Sequence, residues 1–192
     1  MRPVARRTSV AIVLMAVIAG LIVFAVDDAV RTRGLPLDYV SVIREQATDK
    51  HLDPALIAAV IYAETKFDPR PSSAGAQGLM QILPSTAYFL AGLSGGSQFT
   101  ARDLATPSVN VAYGSYYLRY LLDHYDGDEM LAVAAYNAGM NNVDEWLARA
   151  RAAGTPLGEG EIPFPQTREY VRRVLTAQHD YRTTYGRALG LA

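Results

Sequence analysis

The most informative part of this sequence is the run Leu56-Ile57-Ala58-Ala59-Val60-Ile61-Tyr62-Ala63-Glu64. Asp53-Pro54 precedes it and is typical of a helix start, because Asp caps free N–H groups and Pro fits the first turn. Asp68-Pro69 follows it, and the residue before a proline is disfavoured in a helix. The sequence therefore predicts a mostly apolar helix with one carboxyl group, Glu64, in its last turn.

The position of Glu64 disfavours its negative charge. The C-terminal end of a helix dipole is negative, and apolar neighbours disfavour ionisation further. Both effects raise the pKa of a carboxyl group, as a general acid working near neutral pH requires. A glutamate at a helix end can also be an ordinary solvated surface residue, so the position alone leaves both interpretations open.

Composition excludes several classes of protein. The chain has 192 residues with a formal net charge of −1, which gives no electrostatic indication of a nucleic-acid partner. It has no cysteine, which excludes disulfides and thiolate metal sites. The histidines, His51, His124 and His179, do not have the spacing of metal ligands. We therefore expect no metal, no cofactor and no nucleic-acid partner, and a monomeric protein.

The N-terminal segment has the pattern of a membrane anchor. Arg2, Arg6 and Arg7 precede an uncharged run over residues 8–26, close to the roughly 20 residues that a helix needs to cross a bilayer. The basic cluster predicts a cytoplasmic N-terminus, so the remainder would be extracytoplasmic. A cleavable signal peptide is the alternative, although the apolar run is longer than a typical signal core; the remainder would then be secreted or periplasmic.

Helical patterns predominate after the N-terminal segment, and strand-like alternation is scarce. The sequence predicts an all-α fold with a cytoplasmic basic N-terminus (1–7), a transmembrane anchor (8–26), a short linker (27–36) and one working domain (37–192). Besides the helix that contains Glu64, the predicted helices cover residues 39–45, 84–90, 106–125, 128–139, 142–153 and 166–185. Gly and Pro place loops at residues 69–78, 92–97 and 154–165.

Three further segments accompany Glu64-Thr65-Lys66-Phe67. They are Ser72-Ser73-Ala74-Gly75-Ala76-Gln77-Gly78-Leu79-Met80-Gln81-Ile82-Leu83-Pro84-Ser85-Thr86-Ala87, Ala134-Ala135-Tyr136-Asn137-Ala138-Gly139 and Ile162-Pro163-Phe164-Pro165-Gln166-Thr167-Arg168-Glu169-Tyr170-Val171. In this order they closely resemble the soluble-lytic-transglycosylase-like domain family, lysozyme-fold enzymes that cleave peptidoglycan. The resemblance covers roughly residues 37–186 and implies a mostly helical, lysozyme-like domain with a substrate cleft beside the catalytic glutamate.

The resemblance also implies roles for individual residues. Glu64 matches the catalytic acid and base. Gln81 matches the glutamine that lines the cleft, and Met80 beside it is expected to support the sugar face. Tyr136 and Asn137 match the pair near the catalytic carboxyl group.

Two further residues match the family pattern, one in the last predicted helix and one in the loop that is expected to line the cleft. Tyr170 matches the tyrosine that faces the catalytic site. The family's cleft serine maps onto Ser72 or Ser73, and we prefer Ser72, counting back from Gly75. Two departures from the family pattern are Thr65, where serine is usual, and a turn after Glu64 that is about one residue shorter.

Glu64 has one acidic neighbour in the sequence, Asp68, and the next acid is Asp103. Most glycoside hydrolases need two carboxylates, whereas the resemblance implies an intramolecular reaction that ends in a 1,6-anhydromuramyl product and needs only Glu64. We expect Asp68 to organise the turn before Pro69. The alternatives are a muramidase-type hydrolase on the same fold that uses a positioned water, in which case the role of Asp68 must be reconsidered, and a non-catalytic peptidoglycan-binding protein.

Overall fold

The computed structural model describes residues 34–69, 71–95 and 99–191. The chain divides into two units, Met1–Leu35 and Pro36–Ala192, and the second contains all the helices described below. Among the described residues, no helix is both long and apolar enough to cross a membrane. The predicted anchor at residues 8–26 lies outside the described residues and stays a prediction.

The described part of the chain is helical, which confirms the predicted all-α class. Its α-helices are α1 Val40–Lys50, α2 Pro54–Thr65, α3 Pro84–Ser94, α4 Pro107–His124, α5 Glu129–Ala138, α6 Met140–Ala153 and α7 Pro165–Leu189. Two short 3₁₀ helices, Ala101–Ala105 and Glu159–Glu161, lie between them. An isolated antiparallel bridge joins Gln77 to Ile82.

Helix boundaries differ from the predictions mainly at C-terminal ends. Helix α3 continues to Ser94, so the predicted loop at 92–97 begins too early. Gly92 is tolerated inside α3, and the helix ends only where Gly95 adopts a left-handed φ of 75°. Helix α6 begins directly after Gly139, and α7 extends four residues beyond the predicted end.

Helix α2 lies in the core. Every residue from Pro54 to Ile61 is buried, and Ile57, Val60 and Ile61 have no exposed surface. A helix that is apolar on all sides must be enclosed on all sides, and each such side chain contributes about 1.5–3 kcal/mol on burial. Helix α2 packs most extensively against α7 and also against α1. The C-terminal end of α2 is therefore held at a fixed place in the domain.

Polar contacts set the position of α7 against α2. The Oδ1 atom of Asp53 accepts a hydrogen bond of 2.9 Å from the Ala55 N–H, which caps α2. Its Oδ2 atom accepts from Gln178 at 2.8 Å and from Arg182 at 2.6 Å, both on α7. Next to Arg182 on α7, the hydroxyl of buried Tyr181 donates to the Pro36 carbonyl at 2.6 Å. These hydrogen bonds fix the position of α7 along α2, so that the face of α7 with Tyr170 lies against the end of α2.

Candidate active site

Glu64 lies in the last turn of α2 and is half-buried. The chain turns sharply after it, because Lys66 and Phe67 both adopt left-handed φ values, 52° and 65°. The buried ring of Phe67 packs against Tyr181 of α7 and fixes this turn. The Thr65 hydroxyl bonds to the Leu79 carbonyl at 2.8 Å, so the helix end is tied to the next loop. Glu64 is thus displayed from a rigid support.

Tyr170 of α7 contacts Glu64 directly. Its hydroxyl donates a hydrogen bond of 2.7 Å to Oε1 of Glu64, and the residue is only 3% exposed. Burial raises the pKa of Glu64, while the Tyr170 hydrogen bond and the positive charge of Arg173 act in the opposite direction. Burial also raises the pKa of Tyr170 well above its ordinary value, so its hydroxyl remains a hydrogen-bond donor. The effect of burial is the largest of the three, so the pKa of the Glu64 carboxyl group lies above its ordinary value.

Residues 77–82 form a tight turn beside Glu64. The backbones of Gln77 and Ile82 exchange two hydrogen bonds of 3.0 Å. Within the turn, Gln81 adopts a left-handed φ of 50°, and its side-chain amide donates to the Gly78 carbonyl at 2.9 Å. Strained backbone of this kind persists only where the surroundings hold it, and it is frequent at functional sites.

Asn110 of α4 holds this turn, a role that its sequence context did not predict. Its side chain is completely buried. Its Oδ1 accepts from the Met80 N–H at 2.8 Å, and its Nδ2 donates to the carbonyls of Gln77 and Leu104 at 2.8 and 3.1 Å. The available signal was a polar residue on a helix face that otherwise buries Val111 and Leu118.

Met80 does not line the cleft surface, in contrast to the role expected for its side chain. It has no exposed surface, because its side chain occupies the space left by Gly114, where an added Cβ would come within 2.3 Å of Sδ. Its backbone carbonyl accepts a hydrogen bond of 2.8 Å from the Tyr136 hydroxyl. Met80 therefore supports the turn from the core rather than presenting a surface to a ligand.

Tyr136 and Asn137 lie together at the end of α5. Both are half-buried. The Asn137 Oδ1 accepts from the Thr167 hydroxyl at 2.9 Å, which fixes the amide against α7. Thr167 belongs to the segment 162–171 that resembles the family, although its contact to Asn137 was not predicted.

An open cavity of about 450 Å³ adjoins Glu64. Its described lining consists of Ala63, Glu64, Thr65, Lys66, Asp68, Pro71, Ser72 and Gln81. A smaller cavity of about 220 Å³ is lined by Gln81, Ile82, Leu83, Thr86, Tyr117, Tyr136, Asn137, Ala138 and Gly139. Gln81 lines both cavities and so lies between them; the two cavities together are called the groove below.

The loop serine in this groove is Ser72. It lines the larger cavity, and Ser73 is not among the described lining residues. The Ser72 Oγ accepts a hydrogen bond of 2.9 Å from the Ala76 N–H, which closes the loop on itself. Asp68 lines the same cavity but is exposed, unlike Glu64.

No group of three His, Asp or Glu side chains that could hold a metal ion occurs within residues 34–69, 71–95 and 99–191. The site as described consists of one shielded carboxyl group, an exposed second carboxylate and hydrogen-bonding amides and hydroxyls. This set can carry out proton transfer to and from a polar substrate in the groove. A metal-free reaction stays a prediction.

The profile of the family described as "Transglycosylase SLT domain" matches residues 41–156, more than half of the chain. The chain belongs to this family. The match includes Glu64 and the segments with Gln81 and Asn137, so the family resemblance inferred from the sequence is confirmed. The SLT match ends before α7, which carries Tyr170.

Relatives of this SLT domain include enzymes from several bacteria. The soluble lytic murein transglycosylase of Escherichia coli K12 is 31% identical over 159 residues, covering 79% of this chain and 24% of its own. The membrane-bound lytic murein transglycosylase D of the same strain is 32% identical over 139 residues, covering 71% and 30%. The chain thus spans about a quarter of the length of the curated relatives that it matches most strongly.

A solved structure supports the same assignment of fold. An inactive Glu-to-Gln mutant of the lytic transglycosylase Slt from Pseudomonas aeruginosa superimposes with a TM-score of 0.71 and 29% identity. The alignment covers 79% of this chain and 25% of the other. The SLT domain described here therefore has the lytic transglycosylase fold.

Proposed function

We propose that this protein is a peptidoglycan lytic transglycosylase that cleaves the β-1,4 bond between N-acetylmuramyl and N-acetylglucosaminyl residues. The observation that carries the proposal is the Glu64 carboxyl group, half-buried at the wall of a groove and hydrogen-bonded by Tyr170. The names of the relatives support the same reaction class.

The reaction begins with protonation of the leaving oxygen. Burial raises the pKa of Glu64, so the protonated form is available to act as general acid. Oε1 already accepts the Tyr170 hydrogen bond, and we therefore assign the transferred proton to Oε2. As the glycosidic bond breaks, the substrate's own N-acetyl group stabilises the positive charge that develops at C1.

The second half of the reaction uses the same carboxyl group as a base. Ionised Glu64 takes the proton from the muramyl C6 hydroxyl, whose oxygen attacks C1 and closes a 1,6-anhydro ring. Because this nucleophile is tethered to the reacting sugar, no water molecule needs to be captured and the entropic cost is reduced. The Tyr170 hydrogen bond stabilises the carboxylate between the two proton transfers.

The groove residues have binding roles in this proposal. Gln81, at the junction of the two cavities, and Asn137, fixed by Thr167, present amides to the polar groups of the glycan. Ser72 lines the Glu64 side of the groove. Tyr136 has an indirect role, since its hydroxyl is engaged by the Met80 carbonyl, and Met80 supports the turn from the core.

The products distinguish this reaction from hydrolysis. We expect the purified full-length chain in detergent to release fragments from peptidoglycan that end in 1,6-anhydromuramic acid, identified by mass spectrometry. Fragments about 18 mass units heavier, with reducing ends, would show that water is the nucleophile and would favour a muramidase with a second carboxylate. If the folded protein bound peptidoglycan and released no fragments, the non-catalytic alternative would replace the proposal.

We also propose that residues 8–26 hold the SLT domain at the outer side of the cytoplasmic membrane. The uncharged run and its basic N-terminal flank support this location, and several relatives are named as membrane-bound. We expect the full-length chain to remain in the membrane fraction after an alkaline carbonate wash, and a chain starting at residue 27 with its own signal peptide to be released. A mature N-terminus after residue 25 would show instead that the segment is a cleaved signal.

A further inference from the structure

We propose that Arg173 is a positioning residue for the Glu64 reaction: its guanidinium, seated on the Tyr170 ring, strengthens the Tyr170–Glu64 hydrogen bond and favours the ionised carboxylate needed in the second proton transfer. The proposal rests on the proposed function for its catalytic meaning. Its physical content, an electrostatic effect on one carboxyl group, can be measured separately.

Arg173, Tyr170 and Glu64 contact one another in sequence, and we call these three groups the relay. Arg173 follows Tyr170 by three residues on α7, so both side chains project from the same face of the helix. The guanidinium carbon lies 5.6 Å from the centroid of the Tyr170 ring, within the range of a cation–π contact. The Tyr170 hydroxyl lies 2.7 Å from Oε1 of Glu64. The cation thus lies over the ring of one buried tyrosine, and the carboxyl group accepts a hydrogen bond from the hydroxyl of the same residue.

A cation over the ring makes the phenol a stronger donor. It withdraws electron density from the ring and so stabilises the partial negative charge that the phenol oxygen acquires as its proton is shared with the acceptor. The direction is the same for both partners: the charge of Arg173 lowers the pKa of Tyr170 and of Glu64, against the larger effect of burial, which raises both. Arg173 is exposed, so its own charge remains solvated while its field acts on a shielded pair.

The proposed reaction needs a charge that opposes the effect of burial on the Glu64 pKa. Glu64 must first give up a proton and then accept another, and a general acid–base group works best with a pKa near the operating pH. Burial alone would stabilise the protonated carboxyl group and make it a weak acid. Arg173 opposes burial without entering the cavity, since it is not among the residues that line the groove beside Glu64.

Other charged and titratable groups also face this region. Lys66 and Asp68 line the cavity from the loop after α2. Tyr136 of α5 interacts electrostatically with Glu64 and Tyr170. The preceding arginine, Arg172, is directed elsewhere, because it pairs with Glu159 and Glu169 at 3.0 and 3.2 Å. It provides a matched control of the same residue type on the same helix.

The first test is the pH dependence of kcat/KM on soluble peptidoglycan strands. Removing the charge in Arg173→Gln raises the pKa of Glu64, so the protonated form persists to higher pH. We therefore expect the alkaline fall in kcat/KM to move to higher pH. At a pH on this falling side, kcat/KM as a fraction of its plateau value should be about two- to fivefold higher than in the parent protein. Arg173→Lys keeps the charge, so its kcat/KM should fall at nearly the same alkaline pH as in the parent protein. Arg172→Gln should leave the profile unchanged.

Two further measurements separate a charge effect from a structural one. The difference between the parent protein and Arg173→Gln should shrink in about 1 M salt, which screens exposed charges. If Arg173 acts through Tyr170, Arg173→Gln should also have a smaller effect in a Tyr170→Phe background, as a double-mutant cycle would show. Equal effects in both backgrounds would overturn the relay.

Carbon-13 NMR titration measures the pKa of the Glu64 carboxyl group directly, so it tests the effect of Arg173 without relying on lytic activity. A higher Glu64 pKa in Arg173→Gln than in Arg172→Gln, in a protein with no lytic activity, would support the electrostatic link while the proposed function failed. Normal lytic activity with an unchanged Glu64 titration and an unchanged alkaline fall in kcat/KM would overturn the role of Arg173 and leave the proposed function intact.

Discussion

Glu64→Gln should remove lytic activity while leaving the domain folded. General acid–base groups contribute about 10²–10⁴-fold to rates, and Glu64 serves in both proton transfers of the proposed reaction. We therefore expect release of muropeptide fragments to fall by roughly a thousandfold or more. The amide has nearly the shape of the carboxyl group, and its oxygen can still accept the Tyr170 hydrogen bond. Thermal unfolding should consequently change little.

Asp68→Asn is the matched control for this substitution. It makes the same carboxyl-to-amide change on the same cavity wall, but at an exposed residue. We expect activity within about twofold of the parent, the range of ordinary surface substitutions. A loss comparable to that of Glu64→Gln would restore a two-carboxylate mechanism, and substantial activity in folded Glu64→Gln would exclude Glu64 as the acid.

Local sequence rules predicted the framework well where one segment contains the whole signal. Asp53-Pro54 marked the start of α2, and the structure shows the predicted cap. The end of α2 was anticipated from Pro69, although the left-handed Lys66 and Phe67 stop the helix earlier. The end of α3 was missed because Gly92 resembled a loop residue, whereas the last turn of that helix packs Ala91 into the core.

The site itself depends on contacts between distant segments. Tyr170 and Glu64 are 106 residues apart, and no periodicity or spacing rule relates them. Family resemblance placed Tyr170 at the site, but the hydrogen bond that it donates required the packing of α7 on α2. The complete burial of Met80 was not predicted, for a similar reason. It depends on the space beside Gly114 on another helix, which the segment around Met80 does not reveal.

Asn110→Ala should be the most destabilising single change near the site. The substitution leaves the Met80 N–H and the carbonyls of Gln77 and Leu104 without the bonds that Asn110 now supplies. The Gln77 carbonyl keeps its hydrogen bond from the Ile82 N–H, so two of these groups are left unpaired. An unpaired buried group costs about 1–3 kcal/mol, so the total is roughly 2–6 kcal/mol, against a typical stability of about 5–15 kcal/mol. We expect the melting temperature to fall by about 10 °C or more.

Exposed Asn141 provides the control. Asn141→Ala removes an amide of the same kind from the surface and should change stability by less than about 0.5 kcal/mol.

Gly78→Ala tests the Asn110 amide by another route. The added Cβ would come within 2.1 Å of the Asn110 Nδ2, and φ at Gly78 is +72°. Asn110→Ala and Gly78→Ala should both lose activity per folded molecule at low temperature, because each displaces the turn that carries Gln81. If Asn110→Ala unfolds at nearly the parent temperature, water must replace all three bonds, and the turn is held by its own backbone pairs instead.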